Sequence, residues 1–315
     1  MPPISPSPIQ GLHHITATTR ETGPDYHFYT HLLGLRLVKK TINFDDPNVY
    51  HLYYAPRDGQ PGTVFTTFPY AGKDIRNGVP GTGQVAVSAF SVPVTALDFW
   101  NKRLTDRGVP TQLVERFGDP ALRFADPSGL QLELIATDRD KRPPGLQQGI
   151  DAAFALRGLH HVHLLLPELE ESCAFLEREM GFHQQEESEG QVRMVTGEGL
   201  PGQIVDLQAA PEVQRGKGGM GVVHHVTFRV RDLEELRRLR HRFANELGLK
   251  VTELKDRKYF QSIYFRFPGK VLFEIATSQP GFTVDEPESE LGEGLQLPQA
   301  QEKHRARIES VLPKL

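Results

Sequence analysis

The chain carries one cysteine, Cys173. An intramolecular disulfide and a thiolate metal cluster are therefore excluded. Cys173 falls in a helical pattern beside Phe175 and Leu176 and reads as a small packing residue. A basic excess is also lacking: 36 Lys and Arg against 40 Asp and Glu leave a net charge of −4. Nothing is in surplus to neutralise a phosphate backbone, so nucleic acid is not an expected partner. Long apolar runs are missing as well. The stretches at 162–166 and 271–273 fall far short of the roughly 20 residues that a bilayer helix needs, so no membrane partner is expected. The opening MPPISPSPIQ has neither a basic start nor an apolar centre, so no secretory leader is expected and the chain reads as cytoplasmic. What composition does supply is 13 histidines in 315 residues, a length that suggests two domains.

Four segments repeat one order of elements: a strand, an amphipathic helix ending at glycine, then further strands. They open with GLHHITAT at Gly11, QVAVSAFSV at Gln84, GLHHVHLLL at Gly158 and GVVHHVTFRV at Gly221. They close with GTVFTTF, GLQLELIAT, GQIVDLQ and GKVLFEIAT. The helix-ending glycines, Gly34, Gly108, Gly181 and Gly248, follow the aligned positions His14, Val87, His161 and His225 by 20, 21, 20 and 23 residues. Glycine at a helix end permits a left-handed residue at no steric cost. The unit is βαβββ. Four copies predict an α+β fold with concave mixed sheets, since one copy cannot bury both its helix and its sheet. Units one and two span 11–137, a Pro-containing linker spans 138–157, and units three and four span 158–279. The tail, 280–315, is acidic and then helix-like; it is either disordered or folded back over an opening.

Strand alternation sorts the histidines. His225, Thr227 and Arg229 share a polar face, whereas His224, Val226, Phe228 and Val230 share an apolar one. In unit one His14, Thr16 and Thr18 share a face opposite His13, Ile15 and Ala17. Closing strands align Glu274 with Glu133, Thr66 and Asp206. A carboxylate in an apolar strand needs a compensating charge or metal. If unit one pairs with four and two with three, two sets result: His14, Thr66, His225 and Glu274; and Val87, Glu133, His161 and Asp206. Two imidazoles and a carboxylate suit a divalent first-row metal with open positions. The second set has a single imidazole and reads as a relic, a buried hydrogen-bonded cluster or a weaker metal site.

Other features have plainer readings. His51, in VYHLYYA, reads as a core or pocket residue, and His27, His31, His183, His241 and His304 as solvated. Gly216, Gly218 and Gly221 match G-x-G-x-x-G but precede a strand, so they read as a flexible connector and not a dinucleotide fingerprint. No G-x-S-x-G elbow exists to support a serine hydrolase.

The segments GLHHIT, LVKKTINFDDPNVYHLYYAPRDGQPGTVFTTFP, GVVHHVTF, DRKYFQSIYFRFPGKVLFEIAT and PGFTVDE resemble the vicinal oxygen chelate (glyoxalase/bleomycin resistance) superfamily. Within it the chain looks like the ring-cleaving dioxygenases that act on hydroquinones. The resemblance implies a non-haem Fe(II) dioxygenase of extradiol type, with Mn(II) as the alternative ion, inserting O2 into a phenolic ring. It implies metal ligands at His14, His225 and Glu274, supporting roles for His13, Thr16, His224, Arg257 and Tyr264, and a homo-oligomer. Tyr259, Phe260 and Phe265 would be pocket walls or core. The rivals are a glyoxalase-like isomerase or lyase and a metal-free binder of small aromatics. Thr66, a poor ligand in the fourth slot, argues against the first; retention of three ligands argues against the second.

Overall fold

The computed structural model describes residues 7–70, 72–145 and 149–315. Unit one contributes β1 (Ile9–Thr19), α1 (Thr22–His27), β2 (Arg36–Asn43), β3 (Asp46–Ala55) and β4 (Val64–Pro69). Unit two contributes β5 (Gln84–Val92), α2 (Leu97–Thr105), β6 (Thr111–Arg116), β7 (Asp119–Ala125) and β8 (Gln131–Ala136). Unit three contributes β9 (Gly158–Leu166), α3 (Glu170–Met180), β10 (His183–Ser188), β11 (Gln191–Val195) and β12 (Ile204–Ala209). Unit four contributes β13 (Val222–Val230), α4 (Leu233–His241), β14 (Lys255–Asp256), β15 (Gln261–Arg266) and β16 (Leu272–Ala276).

The glycine closing each unit's helix is left-handed, with φ of 67°, 74°, 71° and 65° at Gly34, Gly108, Gly181 and Gly248. That turn returns the chain to the sheet, so the helix lies over the crossover between a parallel first and last strand. Two eight-stranded mixed sheets result, ordered β14-β15-β16-β13-β1-β4-β3-β2 and β10-β11-β12-β9-β5-β8-β7-β6. Unit one therefore joins unit four, and unit two joins unit three, through the antiparallel pairs β1·β13 and β5·β9. The helices and the sheet faces beneath them share one apolar core drawn from all four units, including Phe65, Phe90, Trp100, Phe228 and Phe273.

The central strands depart from strict alternation. Leu12 pairs with Phe228 and His14 with Thr227, leaving His13 as an extra residue; Thr16 pairs with His225 and Ala17 with Val223, leaving His224 extra. His160 is the extra residue on β9 in the same way. A bulge re-aims its unpaired side chain. His13 and His224 consequently stand beside the following histidine instead of on the opposite face that alternation assigns.

The tail folds back. Leu295 bridges to Lys40 at the edge of β2, and α5 (Arg305–Val311) closes the chain. Buried Lys39 pairs with Asp285 at 2.6 Å and with Glu286, while Lys258 holds the other Asp285 oxygen at 2.6 Å. Phe282 and Leu291 fill one end of the unit one–four concavity, against Val38, Tyr53 and Tyr259.

Candidate metal centre

The two-one pairing of imidazoles and carboxylate is assembled by the β1·β13 and β13·β16 ladders. His14 faces Thr227, and Thr227 faces Glu274, across three adjacent strands. His225 Nε2 lies 3.0 Å and His14 Nε2 3.3 Å from the same Glu274 oxygen, Oε2. All three residues are buried, and Thr227 donates its hydroxyl to that oxygen at 2.6 Å. His225 Nε2 and Glu274 Oε1 have no hydrogen-bond partner although both are buried. Unpaired buried donors and acceptors are costly. A divalent ion is the group that two imidazole lone pairs and a carboxylate would jointly satisfy. Among the described residues this is the one cluster of three such ligands within mutual reach, 4.8 Å.

The bulged histidines set the protons. His13 Nε2 lies 3.1 Å from the Thr277 carbonyl, which can only accept, so that nitrogen carries the hydrogen. Burial, then the neighbouring His14 charge, lowers the His13 pKa to about 3, so the ring is neutral and its Nδ1 accepts. His14 Nδ1, 2.8 Å away, must therefore donate. His224 Nδ1 stands 2.7 Å from His225 Nδ1 in the matching arrangement. Burial and His225 lower His224 to about 3 as well. Burial pushes the Glu274 carboxyl up, but contacts to His14 and His225 overcome it and hold the group well below its ordinary value.

A cavity of about 250 Å³ opens on the two ligand imidazoles, His14 and His225. His14, His225, His224, Arg257, Tyr264 and Phe260 are among its walls. Tyr264 stands opposite Glu274 in the ladder, and Arg257 Nε reaches its hydroxyl at 3.3 Å while NH2 holds Asp45 at 3.2 Å. Burial, then the Glu274 charge, raises the Tyr264 phenol well above its ordinary value. Burial opposes the Arg257 charge, but Tyr264, Glu274 and Asp45 outweigh it and raise its pKa.

Thr66 and Thr16 belong to a chain of hydrogen bonds that runs from His51. His51 Nε2 meets Thr66 Oγ1 at 2.8 Å, Thr66 donates to Thr16 at 2.9 Å, and the Tyr53 hydroxyl meets His51 Nδ1 at 2.9 Å. His51 is thus a cavity residue wired to a hydroxyl chain. Tyr53, Asn43, Phe44, Asp45, Phe68 and Tyr70 also line the cavity and escape strand-pattern reasoning. Their signal was the length of the unit-one motif, not any spacing. Tyr259 instead packs against Phe282 under the tail, and Phe265 lies in the helix-side core with Phe243 and Phe273. His27, His31, His183, His241 and His304 are exposed.

The second cup is closed by cations. Glu133 is held by Arg116 at 3.1 Å and Arg123 at 2.7 Å, and Asp206 by Arg193 through two bonds of 2.8 Å. His161 Nε2 is 3.5 Å from Asp206. Val87 pairs with His163 and adds no ligand. Guanidinium groups occupy the charge-compensating role, so the set is a buried ion-pair cluster.

The repeated unit, the two cups and the three-ligand centre can be compared with known proteins. A family model described as Glyoxalase/Bleomycin resistance protein/Dioxygenase superfamily matches residues 158–275. MhqO of Bacillus subtilis (strain 168), which carries a provisional designation as a ring-cleaving dioxygenase, is 41% identical over 302 residues, 96% of this chain and 95% of its own. The chain belongs to this superfamily. Chlorohydroquinone/hydroquinone 1,2-dioxygenase of Sphingobium indicum is 36% identical over 301 residues, 91% of each chain. A solved structure of a provisionally designated dioxygenase from Bacillus subtilis subsp. subtilis str. 168 superposes with a TM-score of 0.92 at 40% identity, covering 98% of both chains. Glyoxalase I from Zea mays shares the fold at 15% identity, with a TM-score of 0.63 over 85% of this chain and 92% of its own. No helix among the described residues is long and apolar enough to cross a membrane.

Proposed function

We propose that this superfamily member is a ring-cleaving dioxygenase of extradiol type that takes a hydroquinone-type ring and O2, with Fe(II), or alternatively Mn(II), held by His14, His225 and Glu274. The observation that carries the reading is the unpaired His225 Nε2 and Glu274 Oε1 beside a cavity of about 250 Å³. That space is below the roughly 300–1,000 Å³ of drug-sized pockets, and it suits a single ring. The relatives at 41% and 36% identity bear ring-cleaving and hydroquinone dioxygenase names, which supports the same substrate class.

The ion, when bound, would acidify a phenolic hydroxyl and, as Fe(II), supply redox contact with dioxygen. The chain's own groups do the rest. His13 and His224 hold the Nδ1 protons of the two ligand imidazoles and so keep both Nε2 lone pairs directed inward. Tyr264, kept protonated by burial and Glu274, offers a hydroxyl proton within the cavity. Arg257 fixes that hydroxyl and keeps its charge near any oxyanion that develops on the ring. Thr16 ends the hydroxyl chain from Tyr53 and His51 and holds Thr66 away from the ligand set. Phe260, its ring centroid 5.3 Å from that of His14 and tilted by 45°, provides an apolar wall for the ring.

The test is anaerobic loading with Fe(II) followed by oxygen uptake with methylhydroquinone, catechol, and methylglyoxal with thiol. Oxygen consumption with the hydroquinone is expected. Turnover of the thiol adduct without oxygen would replace this reading with an isomerase.

A further inference from the structure

A second and larger cavity, about 830 Å³, adjoins the metal-site cavity and shares Tyr70, His224 and His225 with it. Its walls carry Arg76, Arg215, Lys217, Arg266 and Lys270, all exposed, against one carboxylate, Asp74. None of these five cations has an ion-pair partner among the described residues: Arg76 donates to the Gly218 carbonyl at 2.8 Å and Arg266 to the Lys270 carbonyl at 3.1 Å. In a chain of net charge −4, five unpaired cations around one space are not an average surface. Like charges gathered this way repel unless an anion joins them.

The cluster is also held in place. The segment joining units one and two runs beside the segment joining units three and four, with Val79 and Lys217 exchanging backbone bonds of 2.9 and 2.8 Å, and Gly216 donating to Thr82 at 3.0 Å. A side chain at Gly81 would meet the Gln214 carbonyl at 2.3 Å, and one at Gly219 the Arg76 carbonyl at 2.4 Å. The glycine-rich connector is therefore a paired ribbon, not a loose tether, and it sets Arg76, Arg215 and Lys217 around the opening. The inner cavity differs in charge: its lining holds Asp45 and Asp46 with one cation, Arg257, which is paired with Asp45.

We propose that the preferred aromatic substrate carries a negatively charged substituent, a carboxylate-bearing hydroquinone, with the ring in the inner cavity and the carboxylate among Arg76, Arg215, Lys217, Arg266 and Lys270. This deepens the ring-cleaving reading and rests on it for turnover. Fields of this kind raise the capture of an oppositely charged ligand and weaken with salt.

The experiment compares 2,5-dihydroxyphenylacetate with methylhydroquinone on the Fe(II)-loaded full chain, by kcat/KM and by calorimetric binding. The expected acid-to-neutral ratio in kcat/KM is about tenfold, falling toward one between about 0.05 M and about 0.5 M salt. The double variant Arg215→Gln/Arg266→Gln should collapse the ratio, whereas Arg237→Gln, an exposed charge on α4, should leave it in place. A ratio at or below one, or one that Arg237→Gln lowers equally, overturns the inference while leaving hydroquinone cleavage standing. If neither ring is turned over, the ring-cleaving reading fails. Calorimetry then decides the charged site alone: acid binding that exceeds neutral binding and is lost in the double variant upholds it, and equal binding overturns it.

Discussion

At the scale of single residues, burial decides what each titratable group can do. Glu274 remains a carboxylate because two imidazoles and Thr227 face it; without them burial would favour its neutral form. Glu274→Ala should abolish retention of Fe(II), read as metal content after gel filtration, with the circular dichroism spectrum unchanged. Full metal content in that variant would place the ion elsewhere. Asp25 shows the opposite balance. Burial, then the charge of Asp126, pushes its carboxyl from 3.8 up to about 8, against the opposing pull of the Thr67 and Thr19 hydroxyls, the latter at 2.8 Å. The folded chain then holds a proton that the unfolded chain releases near its ordinary value. Stability from this group is full below about 4 and drains as pH rises to about 8, at about 1.4 kcal/mol per pH unit. Asp25→Asn should flatten that slope. Thermal unfolding of both forms from pH 5 to 9 checks it: the midpoint difference should shift in favour of the variant as pH rises, and parallel curves would refute the shift.

At the scale of elements, the bulges and the tail do what regular strands cannot. A regular β1 would turn His13 toward the helix; the extra residue places it beside His14, where one imidazole orders the next. The tail in turn plugs the concavity with Phe282 and ties itself to β2 through Lys39, which is 0% exposed. Lys39→Met would leave Asp285 and Glu286 without their shared cation. Removing one partner of a buried pair costs about 3–5 kcal/mol, so urea unfolding should show a loss of that order. A loss below about 1 kcal/mol would mean that Lys258 alone holds the tail.

At the scale of the whole molecule, neither half of the chain contains a complete sheet or a complete ligand set. His14 comes from unit one, whereas His225 and Glu274 come from unit four. We propose 11–137 and 158–279 as modules of sequence that fold only together. Residues 1–150 expressed alone would leave β1 and β5 as exposed edges, which invite association. Gel filtration should find that piece aggregated, and co-expression with 151–315 should restore a native-sized species. A monodisperse, folded half would refute the dependence.

Much of this architecture was legible along the chain, because the repeat interval and the helix-ending glycines are short-range patterns that recur four times, and the inward carboxylate recurs in three of the four units. The residues His14, His225 and Glu274 stand out by that logic before any fold is known. Other features depend on what a distant strand brings opposite. Arg123 and Arg193 neutralise the second cup only because their strands lie beside those of Glu133 and Asp206, and Arg116 reaches Glu133 from β6, one strand further out. The orientation of His13 and His224 follows from a cross-strand register that alternation along one strand does not contain. The cationic vestibule exists because two connectors, separated by more than a hundred residues, are hydrogen-bonded into one ribbon. Periodicity is written into neighbouring residues, whereas charge compensation and register are settled by contacts that form when the two sheets close.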